Sequence, residues 1–185
     1  HAFSMVASPD GGFLLAGHSD GAFSGGISKG GYDVVVTRYA ADGSVIWNQH
    51  YGGSAYDLSE KIIATQDGNY VVLGWSQSVD GDLPENKGAV DIWIFKIDPN
   101  GQLLWTKTYG GQGNEAANDV IETQTGELLL AGQTRSQKTD NGDIGNNYGN
   151  FDAWVLKLNA NGDLLWDQNY GGTEEDYVRE VVETT

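Results

Sequence analysis

One sequence unit occurs three times along the chain and constrains its fold more than any other feature. Each copy has a tryptophan, three variable residues and then Tyr-Gly-Gly, and the copies occupy residues 47–53, 105–111 and 166–172. The spacing of about 60 residues is typical of an array of supersecondary units. Because one such unit cannot bury its apolar surface alone, the repeats are predicted to pack against one another.

The composition favours many short β-strands. The chain of 185 residues has 27 glycines and only 3 prolines. Its Val, Ile, Leu, Trp and Tyr residues gather into short runs between turn residues, which is typical of strands. Cysteine is absent, so a disulfide framework is excluded, and packing or bound ions must hold the fold together.

The charge balance limits the class of partner. The chain has 26 acidic and 10 basic residues, for a formal net charge of −16. Such a charge repels nucleic acid and anionic membranes and favours cations or basic partners.

No apolar run approaches the roughly 20 residues that span a bilayer, so membrane insertion is not expected. The chain begins at His1 without a visible signal peptide, and we expect it to be a processed or excised piece of a longer protein.

The second repeat shows most clearly what one unit builds. Runs of β-favouring residues at 61–65 and 70–75 flank an Asp-Gly-Asn turn and predict a hairpin. After a polar loop, runs at 91–97 and 102–109 flank an Asn-Gly turn and predict a second hairpin. Each repeat is therefore predicted to form four antiparallel strands. The other repeats carry similar turn residues at Asp10-Gly11, Asp42-Gly43, Thr125-Gly126 and Asn161-Gly162.

Four strands in a repeat of this length are typical of one blade of a β-propeller. The predicted blades cover residues 1–53, 54–111 and 112–172, and residues 173–185 begin a fourth blade with a strand at Val178–Val182. Propellers have about 4 to 8 blades, so three blades and one strand do not close a ring. We therefore expect an all-β fragment of a larger propeller whose remaining blades belong to the same longer chain. The alternative is a six-bladed ring closed by a second copy.

Several segments of the second repeat resemble a known family. The segments Gly88–Asp98, Gly101–Trp105, Tyr109–Gly111 and Asp67–Gly74 are similar to the β-propeller repeats of bacterial secreted and outer-surface proteins. The resemblance covers nearly the whole chain and implies export and a role in display or adhesion, with no known catalytic residues. Gly101–Trp105 also resembles the tryptophan motif of quinoprotein-type propellers, which would imply a quinone cofactor. The cysteine pair and clamping acids of such a site are not identifiable in this chain.

Residues that break the repeat pattern are the candidate binding residues. Trp75 aligns with His18 and Gln133, and a strand enters a long loop at this position. His18, Arg135 and Trp75 are the candidate residues for contact with a glycan or a partner protein, although core packing is the favoured interpretation of Trp75. The tryptophans that recur, or that align with an apolar residue in another repeat, are predicted to pack in the core: Trp47, Trp105, Trp166, Trp93 and Trp154.

The acidic residues form two groups. The acids that recur in each repeat are predicted to accept backbone N–H groups in turns: Asp33, Asp91, Asp152, Asp57, Glu115 and Asp176. The long loops carry further oxygen donors at Asp20, Asp80, Asp82, Asp140, Asp143, Asn146 and Asn147. Clustered oxygen donors without His or Cys suit Ca²⁺, so Asp80, Asp82, Asp140 and Asp143 are candidate calcium ligands. The alternative is a solvated acidic loop, because no single loop clearly supplies 6 to 8 oxygens.

No catalytic centre is recognisable in the sequence. The three histidines occupy unrelated repeat positions, and neither a phosphate-binding loop nor a zinc spacing occurs. We expect a non-catalytic binding or scaffolding domain of an exported bacterial surface protein, secreted or held at the cell surface, that contacts protein or glycan. Two alternatives remain open. One is a hydrolase or lyase that acts on polysaccharide through paired carboxyl groups, and the other is a passive spacer.

Overall fold

Three four-stranded sheets make up the part of the chain that the computed structural model describes, which is residues 1–21, 28–137 and 147–184. The first sheet contains β1 (Ala2–Ala7), β2 (Phe13–Ser19), β3 (Asp33–Tyr39) and β4 (Val45–Tyr51). The second contains β5 (Asp57–Ala64), β6 (Tyr70–Ser76), β7 (Asp91–Ile97) and β8 (Leu103–Tyr109). The third contains β9 (Glu115–Glu122), β10 (Leu128–Thr134), β11 (Asp152–Leu158) and β12 (Leu164–Tyr170).

Within each sheet the strands lie in sequence order, and every neighbouring pair is antiparallel. The predicted all-β class and the predicted four-stranded antiparallel unit in each repeat are therefore confirmed. The hairpin turns use left-handed glycines at the predicted places, such as Gly68 with φ 81° and Gly101 with φ 80°. Glycine adopts this conformation without the steric penalty that other residues incur.

The sheets pack face to face in chain order around two apolar clusters. The first cluster joins sheets one and two through Leu14, Ala16, Val34, Val36, Tyr70, Val72, Trp93, Phe95 and Ile97, among others. The second joins sheets two and three through Val71, Leu73, Ile92, Ile94, Leu128, Leu130, Trp154, Leu156 and Leu158, among others. Because sheet two is covered on both faces, all seven residues of β7 are buried.

The recurring tryptophan and tyrosine of the last strand pack on a turn of the next sheet. In the first sheet, Trp47 Nε1 donates to Pro99 O at 3.0 Å, and Tyr51 OH donates to Gly101 O at 2.6 Å. Burial raises the pKa of Tyr51. The hydroxyl group therefore stays protonated and can donate this hydrogen bond. In the second sheet, Tyr109 OH donates to Gly162 O in the same manner.

The third copy of this pair has no sheet to pack against within the described residues. Trp166 is 45% exposed and Tyr170 is 58% exposed, whereas the equivalent Tyr51 and Tyr109 are 4% and 5% exposed. The prediction that Trp166 packs in the core is therefore wrong for this chain. The predictions for Trp93 and Trp154 are confirmed, because both are fully buried.

The predicted strand at Val178–Val182 is also wrong, because residues 173–184 form no strand. The segment instead lies along the third sheet: Asn118 Nδ2 donates to Val178 O at 2.7 Å, and Val181 N donates to Asp119 Oδ2 at 2.9 Å. A strand requires a partner in a hydrogen-bonded ladder. No second strand follows this segment in the described part of the chain, so the ladder does not form. No described residues form a helix that could cross a membrane.

Candidate functional site

The long loops and the Tyr-Gly-Gly junctions lie at one end of the sheets, which we name the loop end. Tight turns join the first strand of each sheet to the second and the third strand to the fourth, so these turns share the opposite end. The chain crosses from the second strand to the third, and from one sheet to the next, at the loop end. Function resides preferentially on such loops because a rigid scaffold positions them.

A cluster of aromatic rings surrounds His18 at the loop end of the first sheet. The rings of Phe3 and His18 stack with centroids 4.8 Å apart, and Tyr32 meets His18 edge-on at 5.5 Å. Tyr56, at the start of the second sheet, lies 5.8 Å from Tyr32. The ring of His1 lies 5.5 Å from that of His18. We name Phe3, His18, Tyr32 and Tyr56 the aromatic cluster.

The aromatic cluster combines exposed rings with a buried centre. Phe3 is 52% exposed and Tyr56 is 48% exposed, whereas His18 is 7% exposed. Burial lowers the pKa of His18, so its ring is neutral near neutral pH. Together with Leu15, Val35 and Tyr39, among other residues, His18 also lines a groove of about 240 Å³.

Trp75 and Arg135 lie at the loop end of the second and third sheets. Trp75 is half-buried and pairs across its sheet with Leu58 and Ile92. Trp75 donates a hydrogen bond to Glu60. Burial raises the pKa of Glu60, and this hydrogen bond partly offsets the rise. Arg135 is exposed and places its guanidinium 5.8 Å from the ring centre of Phe151.

The three predicted binding residues therefore share one end of the array but do not form one constellation. No hydrogen bond or ring contact joins His18, Trp75 and Arg135 in the described part of the chain. Sequence reasoning missed Tyr32 and Tyr56. Each directly precedes a recurring acid at the start of a strand. This position in the repeat would have located both tyrosines at the loop end.

The candidate calcium ligands that the structure describes bond to protein groups. Asp80 Oδ1 accepts from Ser54 N at 2.7 Å, and Asp82 Oδ2 accepts from Gly52 N at 3.0 Å. Asp82 also pairs with Lys29. Asp140 and Asp143 lie outside the described residues, so calcium binding stays a prediction. Residues 1–21, 28–137 and 147–184 contain no group of three or more His, Cys, Asp or Glu side chains that could hold a metal ion.

The recurring acids accept backbone N–H groups, as predicted. Asp33, Asp91 and Asp152 accept from the residue four positions earlier, at 2.7, 2.7 and 2.6 Å. The second set also accepts from four positions earlier, at 2.7, 2.9 and 2.8 Å for Asp57, Glu115 and Asp176. These acids therefore fix the loop-end backbone at the two junctions between sheets and at the segment that follows the third sheet.

Comparison with models of known protein families gives no match for this chain, and comparison with curated proteins gives none either.

Proposed function

We propose that this chain is a non-catalytic binding domain of an exported bacterial surface protein, and that it contacts a glycan or a protein at its loop end. The observation that carries the proposal is the aromatic cluster, where Phe3 and Tyr56 are half exposed beside the buried ring of His18. Aromatic faces supply large contact areas, and aromatic residues are enriched where proteins bind partners. The stacked sheets hold the cluster on a scaffold of antiparallel ladders.

We further propose that the three sheets belong to a larger β-propeller, with the remaining blades in the same longer chain. Support comes from the repeated packing of Trp47 and Tyr51 on a turn of the next sheet, and from the absence of such packing at Trp166 in the described residues. A second copy of this chain is the alternative source of the missing blades. Because the repeats resemble those of bacterial secreted and outer-surface proteins, we also propose that the parent protein is exported.

The hydrolase or lyase alternative has weaker support. Carboxyl groups do come together in pairs at the junctions between sheets, but Asp33, Asp91 and Asp152 are 0% exposed. A saccharide cannot reach such buried groups without opening the fold. The spacer alternative is the outcome expected if no ligand is found.

The first test is a binding screen against glycans and candidate proteins, with and without EDTA, followed by two substitutions. We expect Phe3→Ala and Tyr56→Ala each to weaken the binding detected by about tenfold or more, because each removes an exposed ring from the contact. The control is Leu104→Ala, which removes an apolar side chain that is 50% exposed on β8. Calcium-dependent binding would support the loop acids as ligands.

Three results would contradict this proposal. Equal affinities for the wild type and both ring variants would exclude the aromatic cluster as the contact surface. Turnover of a polysaccharide, lost on changing two neighbouring acids, would replace the non-catalytic function with the enzymatic alternative. Absence of binding in every assay would favour the spacer.

Light scattering tests the source of the remaining blades. We expect the isolated chain not to form a stable dimer of uniform size, because residues 173–184 already lie against the third sheet, where a second copy would have to pack. A stable, monodisperse dimer would instead favour a six-bladed ring of two copies.

A further inference from the structure

One face of the first sheet differs from the same face of the other two sheets. Sheets two and three use this face to pack on the sheet before them, and Trp93 and Trp154 lie in these contacts. Both tryptophans are 0% exposed. The first sheet carries Val35 at the equivalent position, and no sheet of the described residues covers it on that side. We name the face of sheet one that carries Val35 the leading face.

The strand register shows that the three positions are equivalent. In every sheet a glycine of the second strand pairs with this residue of the third strand: Gly17 with Val35, Gly74 with Trp93 and Gly132 with Trp154. Two residues further along the third strand, the same face carries Phe95 in sheet two and Leu156 in sheet three, but Thr37 in sheet one. The leading face therefore has small side chains at two positions where the other sheets have large ones.

A groove of about 240 Å³ lies over these small side chains. Its lining includes Leu15, Val35, Thr37 and Tyr39, which share the leading face because side chains alternate along a strand. Pockets for drug-sized ligands have about 300–1,000 Å³. An apolar cavity of about 150 Å³ is large enough to hold benzene. The groove on the leading face therefore fits one aromatic ring system better than an oligosaccharide.

The other two sheets show which ring this position accommodates. The indole N–H of Trp93 donates to Thr106 Oγ1 at 2.8 Å, and that of Trp154 donates to Asp167 Oδ2 at 2.9 Å. The equivalent residue of the first sheet is Asn48, whose side-chain oxygen is also an acceptor. An indole ring thus has the size and the donor that this position in the repeat accommodates.

A second copy of this chain does not supply such a ring. In a ring of two copies, the third sheet of one copy would pack on the leading face of the other. The free face of the third sheet carries Ala131 and Val155, which pair with each other and point away from sheet two. Its Trp166 would meet the turn at Gly43, as Trp47 meets the turn at Pro99. Small side chains would then lie on both sides of the groove, whereas well-packed interiors set large residues against small ones.

We propose that the groove on the leading face binds the indole ring of a tryptophan from the sheet that precedes sheet one in the longer chain. This inference rests on the proposed larger propeller, in which each sheet packs on a neighbour. The contact continues the packing between the described sheets, because it uses the same face of the repeat. The difference is the source of the ring. Sheets two and three each supply their own tryptophan, whereas sheet one receives one from the preceding sheet.

Free indole is the probe for the groove. We expect indole to shift the methyl NMR signals of Leu15 in a saturable manner, with a Kd on the order of 1 mM. Val35→Trp fills the groove from within and should weaken indole binding about tenfold or more. Thr37→Phe fills the same groove and provides a second variant if the first folds poorly. The matched control is Val79→Trp, at a loop residue that is 71% exposed, which should leave indole binding unchanged.

The longer protein tests the source of the ring. There we expect no saturable binding of indole, because the preceding sheet already fills the groove. Val35→Trp should lower the denaturation midpoint of the longer protein, because two indole rings cannot occupy one groove. The same substitution should not lower the midpoint of the isolated chain, where the groove is open.

Absence of saturable shifts in the isolated chain overturns the proposal, and so does indole binding that Val35→Trp and Thr37→Phe leave unchanged. Equal indole binding by the isolated chain and the longer protein also overturns it, since the preceding sheet would not fill the groove. These outcomes do not depend on the aromatic cluster. Failure of the glycan and protein screen would therefore contradict the proposed binding function without contradicting this inference.

Discussion

Replacement of Trp93 by alanine is expected to lower the free energy of unfolding by about 3–5 kcal/mol. Trp93 is 0% exposed and lies in the apolar cluster between the first two sheets, with its ring centre 4.5 Å from that of Phe95. The variant leaves a cavity in this cluster. It also removes the donor to Thr106 Oγ1, now 2.8 Å from the indole nitrogen. Chemical denaturation at equilibrium measures the loss.

The matched control for this prediction is Trp166→Ala. Trp166 is 45% exposed on the last strand of the third sheet, where no further sheet packs on it in the described residues. We expect this substitution to cost about 1–2 kcal/mol, clearly less than Trp93→Ala, because part of the side chain is already in water and no enclosed cavity is left. Similar losses for the two variants would show that the clusters between sheets are not the main source of stability.

Replacement of Gly74 by alanine is expected to destabilise the second sheet by about 3 kcal/mol. An alanine methyl group at this position would lie 1.9 Å from Leu58 O and 2.9 Å from Ser59 Cα. Both atoms belong to the backbone of β5, next to the register shift between Ser59 and Lys61. Since backbone atoms cannot rotate away, β5 and β6 must separate. Thermal and chemical unfolding would measure the effect.

Gly21→Ala is the control for Gly74→Ala. A methyl group on Gly21 meets no atom of the described residues within 4 Å, and this glycine does not require a positive φ. We expect a change within about 0.5 kcal/mol. A small effect at Gly74 as well would mean that β5 shifts easily, and that close strand approach is not what selects glycine there.

The sequence predicts the strands well because strand pairing within a repeat is local. Asp-Gly and Asn-Gly turns join adjacent strands, so turn residues and apolar runs are enough to identify each hairpin. The segment at Val178–Val182 has the same β-favouring character, but it forms no strand because its second strand is missing from the described residues. Composition therefore predicts the tendency to form a strand, whereas pairing decides the outcome.

The candidate site was harder to predict because its contacts cross between sheets. His18 belongs to the first sheet and Tyr56 to the second, and only the packing of the sheets brings them into one cluster through Tyr32. The loop acids show the same difficulty. The backbone donor to Asp80 is Ser54, in the junction that precedes the second sheet, so a local count of oxygen ligands could not identify its partner.

The two sets of recurring acids could be predicted from the sequence, but their mutual contact could not. The recurrence of Asp33 and of Asp57 at fixed places in each repeat predicted two sets of structural acids. That the first set faces the second across a glycine follows only from the crossing of the chain between sheets. A pattern that recurs in every repeat shows that a position is constrained, but it does not show which other position constrains it.

The packing of tryptophan on a glycine turn gives the array a direction. Each internal contact uses Trp47 or Trp105 on one side and the turn at Gly101 or Gly162 on the other. Among the described residues, no atom lies within 4 Å of a methyl group placed on Gly43, so this turn is the unpaired counterpart of Trp166. Duplication or loss of one whole repeat would therefore regenerate the same contact at the new boundary. Such a chain can gain or lose whole sheets during evolution, because no new contact surface between sheets is required.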